Sequence, residues 1–204
     1  QFQGSLFYTT FKGALAAELM NMIGFDAMAV GNHEFDDGPE KLAEFVDTVD
    51  FPVLFANTTL ANEPLLKGKV PSHIVKEIDG EKVAIIGVLA EDTAETSSPG
   101  DNVPFIQAED IIRKLVTQLE ADGVNKIVLL SHVGINRDIA IAEAVDGIDV
   151  IVGGHSHTLL DEYPTMAQAP NGKNVPIVQA YAYTKYLGEL SVTWDDNGDV
   201  IEAE

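Results

Sequence analysis

Three short apolar runs each stop at a histidine-bearing loop, and this pattern limits the possible folds more than any other feature. DAMAV (26–30) runs into Gly31-Asn32-His33-Glu34, KIVLL (126–130) into Ser131-His132-Val133-Gly134, and DVIV (149–152) into Gly153-Gly154-His155-Ser156-His157. Brief apolar runs bounded by turn residues read as buried strands. Between them lie patterns of helical period, and strand–helix alternation implies βαβ units with a parallel sheet covered on both faces. The C-terminal ends of parallel strands share one edge, where ligands usually bind. Four of the five histidines fall on loops that converge there. His73, in PSHIV, reads as a strand entry and a structural residue.

The rest of the chain fits that frame. Helices are predicted over 13–24 (with Gly24 as C-cap), 39–50 (opened by Pro39), 108–123 and 136–145. Strands are predicted over 26–30, 51–57, 125–132 and 148–155, with a hairpin over 73–89 turning at Asp79-Gly80. The tail after Val175 reads as a β meander with a second turn at Asn197-Gly198, and Tyr181, Tyr183, Tyr186 and Trp194 read as packing residues of its strands. No repeat, low-complexity stretch or linker divides the chain, so residues 1–204 are expected to form one α/β domain. Its predicted architecture is two stacked mixed β-sheets flanked by helices.

Charge narrows the functions. The chain carries 12 Lys+Arg against 33 Asp+Glu, a formal net charge of −21, which repels nucleic-acid polymers. An anionic substrate would then need a local reversal of sign, and bound cations are the obvious device. No apolar run approaches the roughly 18 residues of a membrane span. There is no cysteine, so disulfides, thiolate metal sites and a Cys nucleophile are excluded.

Taken alone, GNHEFDDG (31–38) reads as a strand-to-helix turn, and a lone SH after a strand as an ordinary loop histidine. Convergence of three such loops favours a metal site instead. Imidazole and amide-oxygen donors without thiolate suit divalent Zn, Mn, Fe or Co.

The segments QFQGSLFYTTFKG, FDAMAVGNHEFD, GGHSHT and VPIVQAYAYTKYLGEL resemble signatures of the calcineurin-like metallophosphoesterases, and among them of the 5'-nucleotidase group. The resemblance runs through essentially the whole chain. It implies a four-layer αββα sandwich and two divalent metal ions (Zn, Mn, Co, Fe or Mg). It also implies hydrolysis of nucleotide phosphates by a metal-activated hydroxide. By resemblance Asn32, His132 and His155 are ligands of one metal and His157 of the other. His33 stabilises the phosphoryl group, with Asp36 as its carboxylate partner, so Asn32 and His33 face the substrate. Export to the periplasm, cell surface or medium is implied as well.

The chain departs from the family pattern at both ends. A D-x-H motif and the metal-bridging aspartate are expected immediately upstream of Gln1, so the piece reads as N-terminally truncated. The C-terminal nucleotide-binding domain of 5'-nucleotidases is expected beyond Glu204. Three alternatives stand beside the nucleotidase reading. One is a catalytically incomplete fragment or binding module that pairs with a complementary segment at an exposed sheet edge. Another is a relative acting on cyclic nucleotides or nucleotide sugars. The third is a relative acting on a thiosulfonate-type substrate.

Overall fold

A computed structural model describes residues 3–204. Two short helices open it, α1 (Leu6–Phe11) and α2 (Ala14–Ile23). α2 ends where Gly24 adopts a left-handed φ of 82° and donates its N–H to Met20. A Cβ would make that conformation costly, so the helix stops there. Then come β1 (Met28–Ala29), a 3₁₀ turn over Asn32–Phe35, α3 (Gly38–Val46) and β2 (Val53–Leu54). The hairpin β3 (His73–Ile78) and β4 (Glu81–Leu89) turns at Asp79-Gly80 as expected. After it lie α4 (Thr93–Thr96), α5 (Ala108–Ala121), β5 (Ile127–His132), α6 (Ile135–Ala144) and β6 (Val150–Val152). The chain closes with β7 (Thr165–Gln168), β8 (Asn174–Val178), β9 (Val192–Trp194) and β10 (Val200–Ala203).

Six strands form a mixed sheet in the order β3-β4-β5-β6-β8-β7, parallel from β4 to β8 and antiparallel at both edges. A parallel pair, β1-β2, packs across β4 and β5 as a second layer. The absence of a side chain at Gly87 makes this crossing possible, because a Cβ there would lie 2.7 Å from the Leu54 carbonyl oxygen. Two cores result. Ile86, Val88, Ile112, Leu129, Ile141 and Ile151 pack between the six-stranded sheet and α5 and α6. Phe35, Leu42, Phe45, Val53, Phe55 and Leu89 pack on the β1-β2 side beneath α3. Adjacent residues Val88 and Leu89 thus face opposite cores, as strand alternation requires. The expected mixed α/β sandwich is present. Among the described residues no helix is long and apolar enough to cross a membrane.

Three elements escaped the periodicity: α1, the single turn α4, and the edge strand β7. One stretch was misread. Residues 179–191 lie outside every named strand, although the tail reads as a β meander. Tyr181, Tyr183 and Thr184 take φ values of 62°, 57° and 53°, which break the pleat. Tyr183 and Tyr186 are exposed instead of packed, while Trp194 in β9 is half-buried.

The β9-β10 hairpin lies at the end of the sheet opposite the histidine loops, over a cavity of about 440 Å³ lined by Asp146, Asp149 and Lys173. Asp149 accepts a hydrogen bond from the Ile127 N–H at 2.6 Å, and burial pushes its carboxyl up from 3.8 to about 7. The folded chain therefore holds this proton more tightly than the unfolded chain. Stability from this group is full below about pH 4 and is lost as pH rises through 7. Asp149→Asn keeps a hydrogen-bond acceptor and removes the titration. Between pH 5 and 8 its melting temperature is expected to fall less than that of the parent; equal slopes in thermal scans would contradict this.

Candidate active site

The turn at residues 31–36 follows β1 and carries four polar side chains in a short span. Asn32 is buried, and its side-chain oxygen lies 3.0 Å from His132 Nε2 and 3.2 Å from His155 Nδ1. The two imidazoles meet edge to face with centroids 5.1 Å apart. Burial pushes His132 down to about 4, and burial lowers His155 as well. Both rings are therefore neutral near pH 7, the form that ligates a metal. Tetrahedral or octahedral donors at metal–ligand distances near 2.0–2.1 Å lie roughly 3 Å apart from one another. The separations from Asn32 Oδ1 to the two ring nitrogens match that spacing, so these residues are of the kind and at the spacing that could hold a divalent ion.

His33 is on the same turn but points elsewhere. Its ring is half exposed, and its Nδ1 lies 2.7 Å from Asp36 Oδ2. His157 stands apart from the Asn32 group, exposed, with its ring 5.7 Å from that of Tyr183. Its charge still acts on His155, as does that of His33. Among the described residues no three His, Cys, Asp or Glu side chains converge on a common metal position. His73 opens β3 and hydrogen-bonds Ser72, away from the other four.

The loops converge differently from the expectation of a single sheet edge. His132 ends β5 and His155 follows β6 in the large sheet, whereas Asn32 follows β1 in the second layer. The donors meet because the two layers are stacked. Close approach depends on glycines. A Cβ on Gly31 would lie 2.6 Å from Glu34 Oε2 and 2.9 Å from His132 Cε1, and one on Gly154 would lie 3.2 Å from His132 Nδ1. Gly31→Ala is expected to destabilise the protein by about 1–3 kcal/mol, the usual cost of overpacking. Denaturant titration checks it, and an unchanged midpoint would show that the loop yields freely.

Several supporting side chains were not singled out by sequence reasoning. Glu34 is buried and accepts the Gly31 N–H at 2.8 Å. Gln179, at the end of β8, accepts from the Thr158 N–H at 2.6 Å and donates to the Gly154 carbonyl and Ser156 Oγ at 3.3 Å. It thereby clamps the loop bearing His155 and His157, both of which sit at left-handed φ values of 73° and 51°. Asp138 of α6 is fully buried, accepts from the Ser131 hydroxyl, and has its carboxyl raised to about 6 by burial. It carried a readable signal, since it falls on the buried stripe of α6 with Ile141 and Ala142. From α1, the Tyr8 hydroxyl donates to Asp37 Oδ2, and Lys12 Nζ lies 3.0 Å from the same oxygen, bracing the turn.

Residues 2–159 match the calcineurin-like phosphoesterase family. The chain belongs to this family. Rat 5'-nucleotidase (Rattus norvegicus) is 39% identical over 216 residues, covering 98% of this chain and 38% of that protein. The solved 5'-nucleotidase precursor from Thermus thermophilus superposes with a TM-score of 0.96 at 41% identity, over 100% of this chain and 42% of that one. The NAD nucleotidase of Haemophilus influenzae superposes with a TM-score of 0.93 at 35% identity, over 98% of this chain and 38% of that one. The chain therefore spans about two-fifths of the length of these relatives. The family is one of phosphoester hydrolases.

Proposed function

We propose that this chain belongs to the catalytic part of a metal-dependent, 5'-nucleotidase-like hydrolase that cleaves nucleotide phosphoesters with water to yield an alcohol and inorganic phosphate. One observation carries this reading: Asn32 Oδ1 lies 3.0 Å from His132 Nε2 and 3.2 Å from His155 Nδ1, and the turn that carries Asn32 also presents the His33–Asp36 pair. The similarity to 5'-nucleotidases supports the substrate class.

In this reading Asn32, His132 and His155 hold one divalent ion and His157 contributes to a second, with Zn, Mn, Co, Fe and Mg as candidates. When bound, such ions activate water and offset charge on the phosphoryl oxygens. The protein's own contribution centres on His33. Asp36 fixes the orientation of its ring through Nδ1, which leaves Nε2 to face the substrate. Held by Asp36 at Nδ1, the protonated or hydrogen-bonded His33 ring turns Nε2 toward a phosphoryl oxygen whose charge grows in the transition state. Asn32 and His33 are adjacent, so one turn sets the ion and the phosphoryl group in fixed register. Export from the cytoplasm belongs to the same proposal, since the Thermus relative is a 5'-nucleotidase precursor.

The test is hydrolysis by the native full-length polypeptide of nucleoside monophosphates, read as phosphate release, and of NAD, cyclic nucleotides and nucleotide sugars, read by chromatographic separation of the nucleotide products. It is run before and after chelation and again with Mn, Co or Zn restored. Release from nucleoside monophosphates that chelation abolishes and metal restores is the expected result. Activity confined to one of the other substrates, or insensitive to chelation, would overturn the proposal.

A further inference from the structure

We infer that Ser97 is a positioning residue for this reaction, holding the Asp36 carboxylate so that the His33 ring is aimed at the phosphoryl group. The inference rests on the function proposed above. Asp36 uses one oxygen for each partner: Oδ2 lies 2.7 Å from His33 Nδ1, and Oδ1 accepts from the Ser97 hydroxyl at 2.7 Å. A carboxylate turns readily about its last torsion, where the preference is broad and roughly two-fold. With His33 alone as partner, Asp36 could pivot and carry the half-exposed ring with it. The second, charge-assisted bond removes that freedom.

The position of Ser97 is itself fixed by the strand that lies beside His132. The His132 carbonyl accepts the Ala90 N–H at 3.1 Å, the Ala90 carbonyl accepts the Thr93 N–H at 3.2 Å, and the Thr93 carbonyl accepts the Ser97 N–H at 3.0 Å. Thr93 is fully buried, which anchors this turn. Backbone hydrogen bonds thus run from His132 to Ser97, and side-chain bonds run on through Asp36 to His33. The turn bearing His33 belongs to the second layer and the strand that ends at His132 to the large sheet. Ser97 is a side-chain tie between the two, and it aligns the group facing the phosphoryl with the group holding the ion.

The experiment is a kinetic comparison of Ser97→Ala, Ser97→Thr, His33→Ala and the Ser97→Ala/His33→Ala double variant of the full-length protein, with metal content and melting temperature measured for each. Ser97→Ala is expected to lower kcat about ten-fold with KM and metal content unchanged. Ser97→Thr, which keeps the hydroxyl, is expected to recover most of the loss. In the double variant, loss of Ser97 is expected to cost nothing beyond His33→Ala, because Ser97 acts only through that ring. Unchanged kcat in Ser97→Ala, no rescue by Thr, or additive losses in the double variant would overturn the inference. If the unaltered protein hydrolyses no phosphoester, the functional proposal falls. The His33 ring nitrogen resonances in ¹⁵N NMR then decide the linkage without a substrate: a shift on Ser97→Ala supports the Ser97–Asp36–His33 connection, and an unchanged spectrum overturns it.

Discussion

His33→Ala is expected to lower turnover by roughly 10²–10⁴-fold, the range for losing a positioned group that handles charge or a proton in the transition state. Metal content is expected to stay near that of the unaltered protein. The two effects separate because the two kinds of side chain point in different directions from one turn. His33 Nδ1 is engaged by Asp36 at 2.7 Å, and the ring is half exposed. The donors proposed for the ion are Asn32, His132 and His155, tied together through Asn32 Oδ1. Removing the His33 ring therefore leaves that donor set intact, and the half-exposed site leaves no large cavity. Elemental analysis beside steady-state kinetics checks the pair of outcomes. If His33→Ala strips metal as thoroughly as a ligand variant does, the role assigned to His33 is wrong.

His155→Ala is expected to remove metal and activity together. His155 Nδ1 lies 3.2 Å from Asn32 Oδ1, and its ring lies edge to face with His132. Without it one expected ion keeps only Asn32 and His132 in this chain. Loss of a mere outer-sphere partner commonly costs about 10–100-fold in metal affinity, and loss of a direct ligand is expected to cost more. The fold is expected to survive, because His155 stands on a half-exposed loop that Gln179 clamps through Gly154, Ser156 and Thr158. Circular dichroism confirms the fold, and metal titration reads the affinity. Full metal retention with lost turnover would move His155 out of the ligand set and into direct contact with substrate.

Both predictions use residues that the sequence had already brought forward, and the reason is local. His33 and Asp36 are three residues apart, so one turn of chain suffices to join them. Asn32, His132 and His155 are far apart in sequence, but each follows a short apolar strand. The rule that parallel strands end on a common edge was enough to gather them. That rule erred in one respect, because β1 belongs to a separate layer, and stacking of layers brings its loop to the others. Stacking depends on which residues lack a side chain where strands cross, as at Gly87, and hydrophobic periodicity carries no record of it.

The supporting residues were hidden for a related reason. Ser97 and Gln179 are ordinary polar residues whose partners lie 61 and about two dozen positions away, at contacts made only in the folded chain. The tyrosine-rich run shows the opposite failure, since its aromatic residues promised a strand and left-handed φ values at Tyr181, Tyr183 and Thr184 removed it.

Short-range rules thus settled most of the order of strands and helices, the excess of acidic charge and the placing of four histidines at or just beyond strand ends. Each of these follows from periodicity, turn chemistry or charge, all legible along the chain. Only folding in three dimensions settled that Asn32 and His132 meet across two layers, that Ser97 reaches Asp36, and that His157 stands beside Tyr183 apart from the Asn32 group. Those contacts join segments distant along the chain, and only close packing of the layers determines which of them come within hydrogen-bonding reach.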